Sequence, residues 1–340
     1  MIVDIKTISR HSSIILIGMA GTTKHLKEII QFEFLDEAKD IFKDCELVNA
    51  LKTMLDMQVN ISDIYLMNIE NRHDFLEAIE ILTDYEFTYI VPIGIHLSDF
   101  FYDPMRGGRK TFYAQYMLDN FSDYNRSILL FTDKHAALYE TIDDYLNDMK
   151  KKLTEFHENK LTNEQRENVI FIANNIENCK NANAILAAMI WTSKLTEYPY
   201  TVSPYRAIFN IDPTDDISDM CYFKSHADGS FTVENLLNQI QEQSPIKIFT
   251  IYRICLYIMR ELDYTKFIGT PYIAYKKKSI EDTVRKFLNS LKGYIIRDFK
   301  IYDISAYQNA SHPGTVTILV KYEIIPIGMK ETYVMRTLKV

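Results

Sequence analysis

The spacing of apolar residues divides this chain into stretches of different period. Ser13-Ile-Ile-Leu-Ile-Gly18, Phe87-Thr-Tyr-Ile-Val-Pro92, Ser127-Ile-Leu-Leu-Phe131 and Asn168-Val-Ile-Phe-Ile-Ala173 are short, nearly unbroken apolar runs, and Ile64–Met67 is another. Such runs suit strands buried on both faces. Between them the spacing turns helical at Leu35–Phe42, Leu47–Met57, Arg72–Leu82, Thr111–Phe121, Ile142–Leu153 and Ala182–Leu195. Strands alternating with helices predict an α/β body with a mostly parallel sheet and flanking helices.

From Pro245 the pattern differs. Ser279 occupies an N-cap position, Ile280, Val284, Phe287, Leu288 and Leu291 recur at helical spacing, and Gly293 ends the helix. The period then falls to two. Phe299 and Ile301 alternate with Asp298, Lys300 and Tyr302; after the turn Ser311-His-Pro-Gly314, Val316, Ile318, Val320, Tyr322 and Ile324 alternate with polar residues. This predicts an α+β unit with a long antiparallel hairpin covered by the helix. Pro326 and Gly328 break the second strand, and Glu331–Val340 is a further strand pattern with no covering element after it. Met1–Ile8, with Val3, Ile5 and Thr7 alternating against Asp4 and Lys6, is strand-like too. The expected organisation is an arm at 1–12, a body at 13–209, a connection at 210–244, the α+β domain at 245–328 and a second arm at 329–340.

Composition adds three constraints. Lys and Arg number 38 against 46 Asp and Glu, a net charge of −8 that argues against a generic nucleic-acid binder. The Tyr and Phe counts of 23 and 19 suit extensive packed contacts, and a codon bias toward Ile, Asn, Lys and Tyr accounts for them equally well. Cys45, Cys179, Cys221 and Cys255 are widely separated, which indicates neither a zinc site nor a disulfide framework. No apolar run reaches the length of a membrane span, so no membrane embedding is expected.

Candidate chemistry is sparse. The turn Gly18-Met-Ala-Gly-Thr-Thr-Lys24 follows a strand as phosphate loops do, but matches no phosphate-loop motif. At the carboxyl ends of the strands stand Gly94-Ile-His96, Asp99 and Asp103, then Asp133, Lys134 and His135, then Asn174, Asn175 and Glu177. An α/β enzyme would place its site there, near His96, Asp133 and His135, although no nucleophile elbow or metal-ligand motif accompanies them. The acidic stretch Asn210–Asp219 lacks the spacing of a calcium loop. Lys276, Lys277, Lys278, Arg285, Lys286 and Lys292 form the concentrated basic surface of an acidic chain, either a solvated helix face or a contact for an acidic partner. No catalytic, cofactor-binding or metal-ligating residue is assigned.

The order of elements resembles the contractile tail sheath family of phage tails and phage-tail-like bacteriocin particles. The match is carried by the Gly18-Met-Ala-Gly21 turn near the start, Phe87–Pro92, the small-residue helix Ala182–Met189 with its Tyr198–Pro204 tail, and above all Phe249–Val340. In that last region Phe249-Thr-Ile-Tyr-Arg253, Phe267-Ile-Gly-Thr-Pro271, Leu291-Lys-Gly293 and Ile325-Pro326 fall in the expected order. The chain is short for a phage sheath and looks like a minimal one. The resemblance implies a structural subunit without enzymatic activity, polymerising as stacked hexameric rings around an inner tube and contracting to drive the tube through a host envelope. Its implied partners are itself, the inner tail tube protein, the baseplate and the tail terminator; its implied location is a virion tail or tail-like particle assembled in the host bacterial cytoplasm. Val3, Ile5, Thr7, Val334, Arg336 and Leu338 would pair with strands of neighbouring subunits, the last three being disordered in an isolated subunit, and the Lys276–Lys292 face would meet the tube. A non-contractile tail or baseplate component of the same fold is the nearest alternative.

Overall fold

A run with no polar face to turn toward water belongs inside a sheet, and Ile14–Gly18 (β1), buried along its whole length, lies at the centre of one. It pairs in parallel with Ile64–Asn68 (β3) on one side and Tyr89–Ile93 (β4) on the other. Ile128–Thr132 (β5) and Val169–Ile172 (β6) extend the parallel sheet past β4, and Ile29–Gln31 (β2) closes the far edge antiparallel to β3. The order is β2-β3-β1-β4-β5-β6. The computed structural model describes residues 13–82, 85, 87–96, 127–157, 166–195, 197, 199–202, 205–210, 220–239, 248–263, 274–309, 312–325 and 332–339. The chain divides into two units, Met1–Lys194 with Pro199–Glu242, and Leu195–Tyr198 with Gln243–Val340.

In the first unit Leu35–Phe42 (α1), Glu46–Asp56 (α2), Phe75–Leu82 (α3), Ile142–His157 (α4) and Ala182–Thr192 (α5) join the strands. Phe75, Ile79 and Leu82 of α3 and Tyr145, Met149 and Phe156 of α4 share one core with Ile15, Ile17, Met67, Phe131 and Phe171. Elsewhere α2 packs on β1 and β3, and α5 on β4 and β5. Every residue of α5 from Ala182 to Ile190 is buried, because a helix apolar all round has no face for water. The expected helix at Thr111–Phe121, the arm with Val3, Ile5 and Thr7, and the acidic stretch 211–219 lie outside the described residues.

The region expected to be a connection at 210–244 is different. Tyr222–Ser225 (β8) and Ser230–Glu234 (β9) form an antiparallel pair, and Tyr200–Val202 (β7) joins the other side of β9. Asp228-Gly229, with Gly229 at φ 81°, supplies the left-handed turn that a tight hairpin requires. Phe223, Phe231 and Val233 then bury completely.

Buried asparagines fasten the loops at the carboxyl end of the parallel sheet. The Asn68 amide accepts from the Ala20 N–H at 2.9 Å and donates to the carbonyls of Thr22 at 2.9 Å and Lys24 at 3.0 Å. Asn174 donates to the carbonyls of Asp133 and Lys180. Asn175 donates to the carbonyls of Phe209 and Phe223 and accepts from the Phe223 N–H, tying the 205–210 segment and β8 to the end of β6.

The second unit contains Phe249–Asp263 (α6), Ala274–Leu291 (α7), Ile296–Asn309 (β10), His312–Ile324 (β11) and Thr332–Lys339 (β12). Ile254, Cys255 and Ile258 of α6 and Ile280, Val284 and Leu288 of α7 meet Ile296, Ile304, Val320, Tyr322 and Ile324 in one core. Helix α7 begins before Ser279, which is an interior residue whose carbonyl accepts from the Thr283 hydroxyl rather than an N-cap. The preceding lysines are good helix formers and extend the helix backward. Gly293, at φ 83°, ends it as expected. The hairpin closes between Asn309 and His312, so His312, Pro313 and Gly314 belong to β11 rather than to the turn. The last strand also has a partner within the chain: β12 runs antiparallel to β11, giving the order β10-β11-β12.

Replacing Asn175 by Leu leaves two carbonyls and one N–H buried without their partners. We expect a loss on the order of 3 kcal/mol in stability, read from the urea midpoint.

Candidate functional site

The residues an enzyme would use at the strand ends are engaged in holding the fold. The Asp133 carboxylate, 5% exposed, meets the Lys152 ammonium at 2.8 Å and accepts from the Lys134 N–H at 2.6 Å. Lys152 reaches from α4 to Asp148 as well, at 2.7 Å. The Tyr139 hydroxyl donates to Asp148, and the Tyr145 hydroxyl accepts from the Asn174 N–H at 2.8 Å. Burial, first, and these anionic neighbours push both phenols up, so both stay protonated. The cavity beside Asp133 and Lys152, lined also by Phe131, Met149, Phe171 and Met220, measures about 20 Å³. That is room for about one water, against the several hundred Å³ that a small-molecule site encloses.

His135 is a turn residue. Its Nδ1 lies 3.2 Å from the Ala137 N–H and its Nε2 lies 2.7 Å from the Ile176 carbonyl, a pairing that needs the neutral ring with its proton on Nε2. His96 sits just past β4, and Asp99 and Asp103 lie outside the described residues. The glycine-containing turn after β1 gives its Ala20 N–H to Asn68 rather than to an incoming phosphate, and the Lys24 N–H goes to the Thr22 hydroxyl. Among the described residues no cluster of His, Cys, Asp and Glu is arranged to hold a metal ion, and no helix is long and apolar enough to cross a membrane.

The second unit offers two surfaces instead. Along α7, Lys277, Lys278, Arg285 and Lys286 are exposed, and Lys276 stands in its first turn. Much of this charge is compensated locally. Arg285 pairs with Glu281 at 2.6 Å, Lys277 approaches Asp303 at 3.5 Å, and Lys292, just after the helix, pairs with Asp298 at 2.6 Å and lies 5.4 Å from the centre of the Phe299 ring. The Lys292 hydrogen bond, with the Phe299 N–H behind it, holds the Asp298 carboxyl below its ordinary range. Lys278 and Lys286 make no ion pair among the described residues, and with Ser279, Asp282 and Thr283 they line an open groove of about 410 Å³. The uncompensated part of the basic face is therefore narrower than the run of lysines suggests.

The other surface is the sheet edge. Val334, Arg336 and Leu338 stand opposite Tyr322, Val320 and Ile318 of the same chain. β12 is the terminal strand in the order β10-β11-β12, so one side of it pairs with no described strand. At the opposite edge β10 is interrupted: Arg297 and Tyr302 are extra residues in its ladder with β11.

No protein-family model and no curated protein matches the sequence. Solved structures do resemble it. The sheath tail protein of Desulfitobacterium hafniense superimposes with a TM-score of 0.61 at 9% identity, covering 98% of each chain. A sheath subunit of the extracellular contractile injection system PVC, in the contracted state, gives 0.60 at 9% identity over 98% of this chain and 88% of that one. The helical sheath of the anti-feeding prophage, also contracted, gives 0.58 at 10% identity over 98% and 90%. At such identities the likeness is one of fold, and it spans both units of the chain.

Removing the lysine beneath the strand ends tests whether its network is structural. Lys152→Met leaves the Asp133 carboxylate buried without its cation, and we expect a loss of roughly 3–5 kcal/mol in stability at neutral pH, read from the denaturant midpoint. The pH dependence follows from Asp148. Burial pushes its carboxyl up, but the hydrogen bonds from Lys152 and Tyr139 outweigh burial and hold it below 3.8. A depressed acid stabilises the fold above its unfolded pKa and loses that contribution as pH falls through the folded one. The deficit of Lys152→Met relative to the parent protein should accordingly be full at neutral pH and shrink as the pH falls through the acid range, read as converging denaturant midpoints.

Proposed function

We propose that this protein is the structural subunit of a contractile sheath. The observation that carries the reading is the shared fold across 98% of the chain with subunits of assembled contractile particles, through both units rather than the body alone. The subunit stacks as hexameric rings around an inner tube, and neighbouring subunits are joined by strands that pair with the β10–β11 hairpin. Strand addition suits such a machine because main-chain hydrogen bonds hold the junction while the bodies rotate as rigid units. The arms are Met1–Ile8, with Val3, Ile5 and Thr7, and Glu331–Val340, with Val334, Arg336 and Leu338.

The tube, the baseplate and the tail terminator are the partners in this reading, and the particle is a virion tail or a tail-like relative assembled in the host bacterial cytoplasm. Lys278 and Lys286 are the cations best placed to meet an acidic tube, since their neighbours on α7 already have carboxylate partners. The subunit itself uses no cofactor and performs no catalysis in this scheme. The occupied hydrogen bonds of Asp133 and His135 and the small cavity beside Asp133 favour this over the enzyme reading.

Negative-stain microscopy of the purified protein separates the alternatives: striated tubes are expected, whereas closed single rings point to a baseplate role and dispersed monomers to neither. Deleting residues 331–340 should abolish tubes while preserving a cooperative melt; tubes of normal length would overturn the strand-exchange claim. Lys278→Glu with Lys286→Glu should weaken assembly on isolated tubes at least tenfold and leave self-assembly within twofold. Equal loss in both assays would remove the basic face from the tube contact.

A further inference from the structure

The two edges of the β10–β11 hairpin are protected in two different ways. β10 is protected by its own sequence: Arg297, Asp298, Lys300 and Asp303 put charges along it, and the extra residues Arg297 and Tyr302 interrupt its ladder. Charges and bulges are what make an edge strand a poor template for another chain. β11 has neither device over Thr315-Val-Thr-Ile-Leu-Val320, an uncharged and largely β-branched run. Uncovered, it would present a row of free N–H and C=O groups to any extended segment.

β12 covers this run from Thr317 onward and continues along β11 to Ile324. The pairing runs without a register shift from Ile324↔Thr332 to Thr317↔Lys339, whereas the β10–β11 ladder shifts three times. The same segment of a second copy carries identical side chains and backbone groups, so it would fit β11 in the same register. Exchange between copies therefore changes the partner and not the bonds. One edge cannot hold both strands.

We propose that β12 is a cis cap on the β11 edge: an unassembled subunit is held closed by its own terminal strand, and strand exchange begins only after β12 leaves. This rests on the strand-exchange reading above and adds its regulation. Opening an eight-residue ladder is a local unfolding step, so it sets a kinetic barrier to spontaneous polymerisation without subtracting from the stability of the finished lattice. Because cis and trans ladders are equivalent, the net drive for assembly comes from the other subunit contacts and from local concentration, not from satisfying a bare edge.

Cysteines at facing positions test the cap. Lys321→Cys with Met335→Cys is introduced in a Cys45→Ser background; the other native cysteines are buried, and burial pushes the Cys221 thiol up to about 12. Oxidation of the unassembled protein should give an intrachain disulfide, identified by mass spectrometry. The oxidised protein should melt no lower than the reduced one and assemble at least tenfold more slowly by light scattering, with reduction restoring the parent rate. Leu319→Cys with Thr337→Cys provides a second facing pair should the first variant fold poorly. Only interchain disulfides in the unassembled protein, or tubes at the parent rate from the intrachain-locked form, would overturn the cap. A parent protein that never forms tubes would instead sink the sheath reading, while the intrachain disulfide would still report whether β12 closes on β11 in the free subunit.

Discussion

Strand edges govern how this protein is built, because a backbone N–H or C=O that finds no partner costs about as much as a lost hydrogen bond. In the first unit short segments flank the long parallel strands at both sides. β2 turns antiparallel to cover β3, and the segment entering β8 lies along β6, with Cys221 bridging Ile172 and its carbonyl accepting from the Ala173 N–H. In the second unit the edges are managed differently. One edge is spoiled by bulges and charges, and the other is covered by a strand whose covalent attachment to it is a short link.

The body follows a different logic. Its sheet has the arrangement that many α/β enzymes use, with polar residues gathered at the carboxyl ends of parallel strands. Here those residues bind to the protein itself. Asn68, Asn174 and Asn175 act as cross-links between strand ends and loops, Asp133 and Asp148 are tied to Lys152, and His135 closes a turn. Each bond fixes a loop or a helix against the end of a strand.

Much of the body was legible from apolar spacing. α1 spans Leu35–Phe42 as the pattern predicts, and the buried strands lie within a residue or two of their apolar runs. Boundaries moved where local preference yielded to context: α7 starts at Ala274 because nothing before Ser279 opposes a helix, and the hairpin tip shifted because ladder pairing, not the Pro-Gly signal, sets where the strands close. The β7-β9-β8 sheet was missed although Asp228-Gly229 signalled a hairpin, since its strands are short and their polar neighbours resemble a connection.

The sequence alone determined the alternation of strand and helix, the apolar faces that make two cores, and the strand character of Thr332–Lys339, because period and side-chain type act over neighbouring residues. Only the tertiary structure decided what the terminal strand pairs with, which lysines of α7 keep their charge uncompensated, and which polar residues at the strand ends are already spent. Those outcomes depend on groups far apart in the chain meeting in space. A periodic pattern shows that a strand needs a partner, but the partner itself is fixed by the geometry that brings the two edges together.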